Sequence, residues 1–171
     1  MNSSCLKRIS RDILHIKTHM QEYDIYDIEH NNTTKTLTLT IITPNCNRLE
    51  FTIPNDYPFK PPQSVLLNGQ NYRYRLKNIP SRISDLYYNP YKMYPEDTTI
   101  SNMKRPECIC CNTLLCPDNW SPIVSIHHIL TEITKHNESK SSIKYKLLLK
   151  EVFDSKILTL DLFPVIYAFL V

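Results

Sequence analysis

Glycine is almost missing from this chain: one residue in 171, against twelve prolines. Turns must then be built from Pro, Asn and Asp, and helices must end without the usual left-handed glycine. No uninterrupted apolar run reaches the roughly 20 residues that a bilayer requires, so no membrane span is expected. The nearest approach, the C-terminal ILTLDLFPVIYAFLV, is broken by Asp161 and Pro164. It reads as an atypical apolar tail at about 157–171, packed rather than inserted. A strong charge of one sign is missing as well. Net charge is +3, which gives no general preference for nucleic acid or an anionic membrane. No apolar stretch follows the basic residues of the opening MNSSCLKRIS, so a secretory signal is not expected. Six cysteines then read as reduced thiols in an intracellular compartment, cytoplasmic or nuclear, and a disulfide framework is disfavoured.

What remains is a globular composition, 42% hydrophobic and 22% charged, long enough for a single domain over 1–171. Richness in Ile, Asn, Lys and Tyr fits an AT-rich genome such as that of a large DNA virus or a protist. A viral chain would work in the host cytoplasm. Ser3 or Ser4 can cap a first helix with Leu6, Ile9, Ile13 and Ile16 inward and Lys7, Arg8 and Arg11 toward solvent. Tyr23 to Ile28 is a short strand. TLTLTII points Leu37, Leu39 and Ile41 one way, RLEFTI does the same with Leu49, Phe51 and Ile53, and Pro44 and Asn45 turn the chain between them. After the proline-rich PNDYPFKPPQ comes a strand at Val65 to Leu67. The expected class is α+β: an antiparallel four-stranded meander with an N-terminal helix and C-terminal helices. The first C-terminal helix should start with Ser121 as cap and Pro122 at its first position, burying Ile123, Ile126, Ile129, Leu130 and Ile133. NESKSS should separate it from a second helix carrying Ile143, Leu147, Leu148 and Val152 on one face.

A segment at about 69–99 is too long for an ordinary connection. Its Tyr72, Arg73, Tyr74, Arg75 and Lys77 interleave aromatics with cations, a pattern that can stack on single-stranded nucleic acid. The local charge is modest and no nucleic-acid motif accompanies it, so a packed lid is expected and no nucleic acid partner. In ECICCNTLLCPDNWSP, four cysteines precede the only tryptophan. Cys108, Cys110, Cys111 and Cys116 are followed by no second half-site at the distance of a zinc module, so no metal is expected. His127 and His128 read as surface or half-buried helix residues, and Cys5 and Cys46 as small apolar fillers.

Taken in order, CLKRISRDI, the meander, NDYPFKPP, Ile109-Cys110 and WSP with an apolar helix behind it resemble the ubiquitin-conjugating enzyme family. The resemblance covers about residues 5–19, 36–67 and 100–133. It implies that one cysteine accepts ubiquitin, or a ubiquitin-like protein, as a thioester from a ubiquitin-activating enzyme. That cysteine then passes the acyl group to a substrate amine or to a ubiquitin ligase. No cofactor is implied, since ATP is used by the upstream activating enzyme. The family pattern sets an asparagine eight positions before the cysteine, which selects Cys110 with Asn102, and leaves Cys111 as the alternative. Asn102 would then donate to the oxyanion that forms on the thioester oxygen. The ligase-binding surface implied by the family is Lys7, Arg8, Arg11, Phe59, Asn119, Ser121, Pro122 and Ile123, with Phe59 either its anchor or merely core.

Three departures are visible. The family's His-Pro-Asn stands here as Ile100-Ser101-Asn102. Cys116, Pro117 and Asp118 lengthen the loop before Trp120. The acid that usually faces the cysteine is not identifiable, with Glu138 the nearest, which leaves room for a hydroxyl acceptor. A second class therefore stands beside the enzyme: a catalytically inactive variant of the same fold that binds ubiquitin or a ligase.

Overall fold

The computed structural model describes residues 1–75 and 113–154. The chain divides into two compact units, Met1–Asn78 with Ile109–Glu132, and Ile79–Cys108 with Ile133–Val171.

In the first unit, helix α1 runs Ser3–His19. Its cap is Asn2 rather than Ser3 or Ser4: the Asn2 side chain accepts from the Cys5 N–H at 2.7 Å, and the Ser4 hydroxyl donates to the same oxygen. Asn2 is held in turn by Asn55, through its own N–H at 2.7 Å and its side-chain amide at 3.0 Å. Such a cap is worth about 1 kcal/mol. The inward face is also rotated from expectation. Cys5, Ile9, Asp12 and Ile16 are buried, while Leu6 is exposed and Ile13 half-buried. The spacing of the buried set is as helical as the expected one, but it carries a carboxylate, whose partners lie elsewhere in the chain. At the other end the Met20 N–H bonds the Ile16 carbonyl at 2.9 Å, and the helix stops without glycine.

Strands β1 (Asp24–Asn31), β2 (Thr36–Ile42), β3 (Arg48–Ile53), β4 (Ser64–Leu67) and β5 (Gln70–Asn71) form one antiparallel sheet in chain order. The alternation read in TLTLTII and RLEFTI fixes the register. Leu39 faces Phe51 and Ile41 faces Leu49, and Phe51 and Leu49 face Val65 and Leu67 on the next strand. A slip of one residue would turn this whole row to the other face. Each of these side chains is buried, and each contributes about 1.5–3 kcal/mol relative to exposure. Strand β1 is the outer strand, and its irregularity between Ile25 and Asp27 leaves Tyr26 exposed.

The sheet has five strands where four were expected. The extra strand follows from Asn68 (φ 50°) and Gly69 (φ 77°), a two-residue turn with both residues left-handed, which is the geometry that closes a tight hairpin. The only glycine in the chain is used there. Pro44 and Asn45 make the β2–β3 turn as expected, but Cys46 completes it exposed and left-handed (φ 55°) instead of filling a core. A four-residue helix α2 (Tyr72–Arg75) follows β5.

Helix α3 spans Ile126–Asp154 without a break. Both expectations about its ends are corrected. Residues 121–125 are not helical: the Val124 N–H turns back to the Ser121 carbonyl at 2.9 Å, and Ser125 rather than Ser121 precedes the first helical residue. Ile123 accordingly points out, whereas Ile126, Ile129, Leu130 and Ile133 are buried. NESKSS does not interrupt the helix. Its Asn and Ser residues are weak helix formers, each worse than Ala by only a few tenths of a kcal/mol, and it holds neither Pro nor Gly. In the second unit, the described part of α3 buries Ile143 and leaves Leu148 exposed. Val152 has no described side chain.

Candidate functional site

Cys110, Cys111 and Asn102 lie outside the described residues, as do Cys108, Lys77, most of the 69–99 segment and the 157–171 tail. The described residues close to the cysteine segment in sequence begin at Thr113, and a carboxylate holds them. The Thr113 hydroxyl and the Leu114 N–H (2.7 Å) both donate to Glu132 on α3, and Thr113 is fully buried. The Asn119 side-chain amide donates to the Thr113 carbonyl at 3.0 Å. The chain just after the cysteines therefore ends in a fixed anchor. The sequence singled out no acid for this anchoring role; Glu138, the acid nearest to fitting the place that faces the cysteine, is exposed.

From Thr113 the chain passes Leu115 and Cys116, both buried, and one 3-10 turn at Pro117–Asn119. Trp120 follows. Its indole N–H donates to the Pro58 carbonyl at 2.7 Å, and its ring lies 6.0 Å from that of Tyr57. This bond ties the tryptophan segment to the proline-rich loop beside Phe59. Phe59 is 74% exposed and Ile123 80% exposed, so neither serves the core. Pro122 and Asn119 are exposed too, and Ser121 is half-buried.

Arg8 joins the third segment. It was expected toward solvent, but its side chain is only 19% exposed, because its guanidinium bonds the Ile123 carbonyl at 3.3 Å, the Val124 carbonyl at 3.0 Å and the Asp12 carboxylate at 3.0 Å. Lys7 and Arg11 remain exposed on α1. Three separate pieces of sequence, α1, the Pro58–Phe59 loop and residues 120–124, are thus brought together by hydrogen bonds.

Beneath this face lies a polar cluster with no counterpart in the sequence reading. Asp12 takes the Arg8 guanidinium, the Tyr57 hydroxyl and, at 3.4 Å, the N–H of Ile126 at the start of α3. Burial, then the Asp12 carboxylate, push the Tyr57 phenol far above its usual range, so it stays a donor. A carboxylate at a helix N-terminus is favoured by the unpaired N–H groups there. The Cys5 thiol, buried against the Pro54 carbonyl at 3.5 Å, is also pushed up by burial.

The start of α3 is capped by Ser125 and His128. The His128 Nδ1 accepts from the Ser125 N–H at 3.1 Å, an imidazole doing what Glu or Gln does in the usual reciprocal cap. His19, His15, His127 and His128, in that order, form a continuous chain of rings, with successive centroids 4.4, 4.0 and 3.9 Å apart. Burial, then His128 and His15, push His127 down to about 4; Arg8 acts the same way and Asp12 opposes. Among the described residues no group of three or more His, Cys, Asp and Glu is arranged to hold a metal ion. Nor is any described helix long and apolar enough to cross a membrane.

Comparison with family models, curated proteins and solved structures gives no significant match. The chemistry of the chain therefore has to be argued from its own residues. Phe59 and Ile123 are exposed on two segments held by the Trp120–Pro58 and Arg8–Ile123 hydrogen bonds, and Lys7 and Arg11 are exposed on α1. A sequence signal for the Asp12 cluster was present: Arg8 and Asp12 are one helical turn apart on the same side as Ile9 and Ile16.

Proposed function

We propose that the chain is a ubiquitin-conjugating enzyme. The Cys110 thiolate attacks the thioester carbonyl of ubiquitin, or of a ubiquitin-like protein, carried by the activating enzyme, and the activating enzyme's sulfur leaves. In the second transfer a substrate amine, a hydroxyl or a ligase cysteine attacks the new thioester, and the Cys110 sulfur leaves as thiolate. Asn102 donates to the oxyanion between the two states.

The observation that carries this reading is the paired exposure of Phe59 and Ile123 on loops joined through Trp120 and Pro58. Apolar side chains held outward on fixed loops can serve as the anchors of a protein interface. The family resemblance supplies a ligase as the partner. The architecture of helix, antiparallel sheet and C-terminal helix is compatible with the family. Ile109-Cys110 and Asn102 stand at the family spacing. The Glu132 anchor gives the cysteine segment a fixed boundary at Thr113.

A second reading is a non-catalytic module of the same fold, favoured by Ile100-Ser101 where the family has His-Pro. One experiment separates the two. Wild type, Cys110→Ala and Cys111→Ala are incubated with ubiquitin, ATP and an activating enzyme, then run on a non-reducing gel. A thiol-sensitive adduct absent only from Cys110→Ala supports the enzyme. No adduct from wild type, with ubiquitin or with a panel of ubiquitin-like proteins, leaves the binding module.

A further inference from the structure

We infer that the cleft between the β1–β2 turn, the proline-rich loop and helix α2 binds a carboxylate carried on an extended peptide. The cleft encloses about 810 Å3 and is lined by Lys35, Lys60 and Arg73 among its polar residues. Asp56 is the one acid among the described residues that line it, and that carboxylate is already occupied by Lys60 at 2.8 Å. Arg73 is the unsatisfied group. Among the described residues its Nε is buried with no hydrogen-bond partner, and its guanidinium otherwise reaches only the Cys116 sulfur, at 3.9 Å.

A guanidinium is always charged, and burying part of it without an acceptor costs on the order of 1–3 kcal/mol. Lys35 adds a second cation with no ion pair among the described residues. It sits at φ 53°, a backbone position that L side chains rarely take. Two uncompensated cations on different elements thus line one opening, and the planar fork of arginine matches a carboxylate.

The volume selects the body that carries this anion. A space of 810 Å3 far exceeds one small oxyanion and falls in the range of larger ligands. Pro61, Val65 and Leu115 supply apolar walls beside the cations, which suits a peptide whose backbone and side-chain stems lie against them. The cleft belongs wholly to the first unit, uses none of the Phe59–Ile123 face, and does not depend on the transfer reading.

The test is a calorimetric titration of the full chain with an acetylated Ala-Glu-Ala-Glu-Ala peptide, with the Arg73 Nε–Hε resonance followed beside it in every chain that keeps Arg73. The matching peptide with Gln in place of Glu is the second arm. Saturable movement of that resonance by the Glu peptide, with at least about tenfold weaker binding of the Gln peptide and by Arg73→Ala, is expected for one charged hydrogen-bonded pair. Lys35→Ala should weaken binding about threefold, as a rim charge would. Arg48→Ala, which removes a cation already paired with Glu50, should leave it unchanged. Melting curves establish that each variant is folded. No movement at millimolar peptide, equal binding of the Gln peptide, or undiminished binding by folded Arg73→Ala would each overturn the inference.

Discussion

Arg8 and Arg73 carry the same side chain on the same compact unit, and their surroundings are opposite. Arg8 gives its donors to one carboxylate and two backbone carbonyls. Arg73 has a sulfur at 3.9 Å and a buried Nε that bonds nothing among the described residues. The first guanidinium joins α1 to the segment entering α3, and its charge is used up within the fold. The second is held in place without its charge being used. The difference teaches which polar groups keep the chain folded and which are left for something outside it. The same division separates the exposed Phe59 and Ile123 from the buried Leu39 and Phe51.

Removing the centre of the satisfied cluster should break the comparison most strongly. Asp12→Ala leaves the Arg8 Nε–H, the Tyr57 hydroxyl and the Ile126 N–H without this acceptor, while Arg8 keeps its two backbone carbonyls. Loss of one partner from a buried pair predicts destabilisation of about 3 kcal/mol in urea unfolding. In a chain of this size that lowers Tm by roughly 6–12 °C. Asp12→Asn, which keeps an acceptor oxygen, should lose less. Glu132→Ala comes next. It frees the Thr113 hydroxyl and the Leu114 N–H, and about 2 kcal/mol should be lost. Amide exchange at Leu114 should speed up well beyond the global change.

A smaller effect follows from acid. His127 is depressed to about 4 from the ordinary 6.5, so the unfolded chain takes its proton first as pH falls. Stability contributed by the neutral imidazole is full above pH 6.5, declines as pH drops toward 4 and levels below it. Because this ring is partly exposed, solvent screening holds the loss to about 1 kcal/mol, or roughly 2–4 °C in Tm. His127→Gln should flatten the melting profile across that window, and an unchanged slope would count against the ring chain as its cause.

The smallest effects on stability belong to the unused groups. Phe59→Ala should change the unfolding free energy by less than about 0.5 kcal/mol because its side chain is exposed, and Arg73→Ala should cost no stability because it removes a buried group that lacks an acceptor. Phe59→Ala should nevertheless slow ligase-dependent discharge while thioester formation continues. A large loss of stability from either variant would erase the contrast with Arg8.

Much of the sheet was legible because its information is local. The alternation in TLTLTII and RLEFTI puts Leu39 and Phe51 on the buried face with no knowledge of the rest of the chain, and the turn between the strands then pairs them. The Asn68-Gly69 pair is an equally local sign, and the fifth strand was overlooked only because it is two residues long. Ser125-x-x-His128 has the spacing of a reciprocal cap but not its usual acid or amide, so Ser121-Pro122 looked the better start.

Local pattern was thus sufficient for four of the five strands, for a first helix and helical structure after Trp120, and for the proline-rich loop between β3 and β4. Each follows from a period or a backbone preference that acts over a few residues. Which face α1 buries, where α3 begins, and whether Arg8 serves the fold or a partner were decided by tertiary structure. Those outcomes depend on Asp12 meeting Tyr57 and Ile126, residues 45 and 114 positions away. A buried carboxylate becomes stable only when chain folding brings its donors to it, and the spacing of apolar residues carries no record of that meeting.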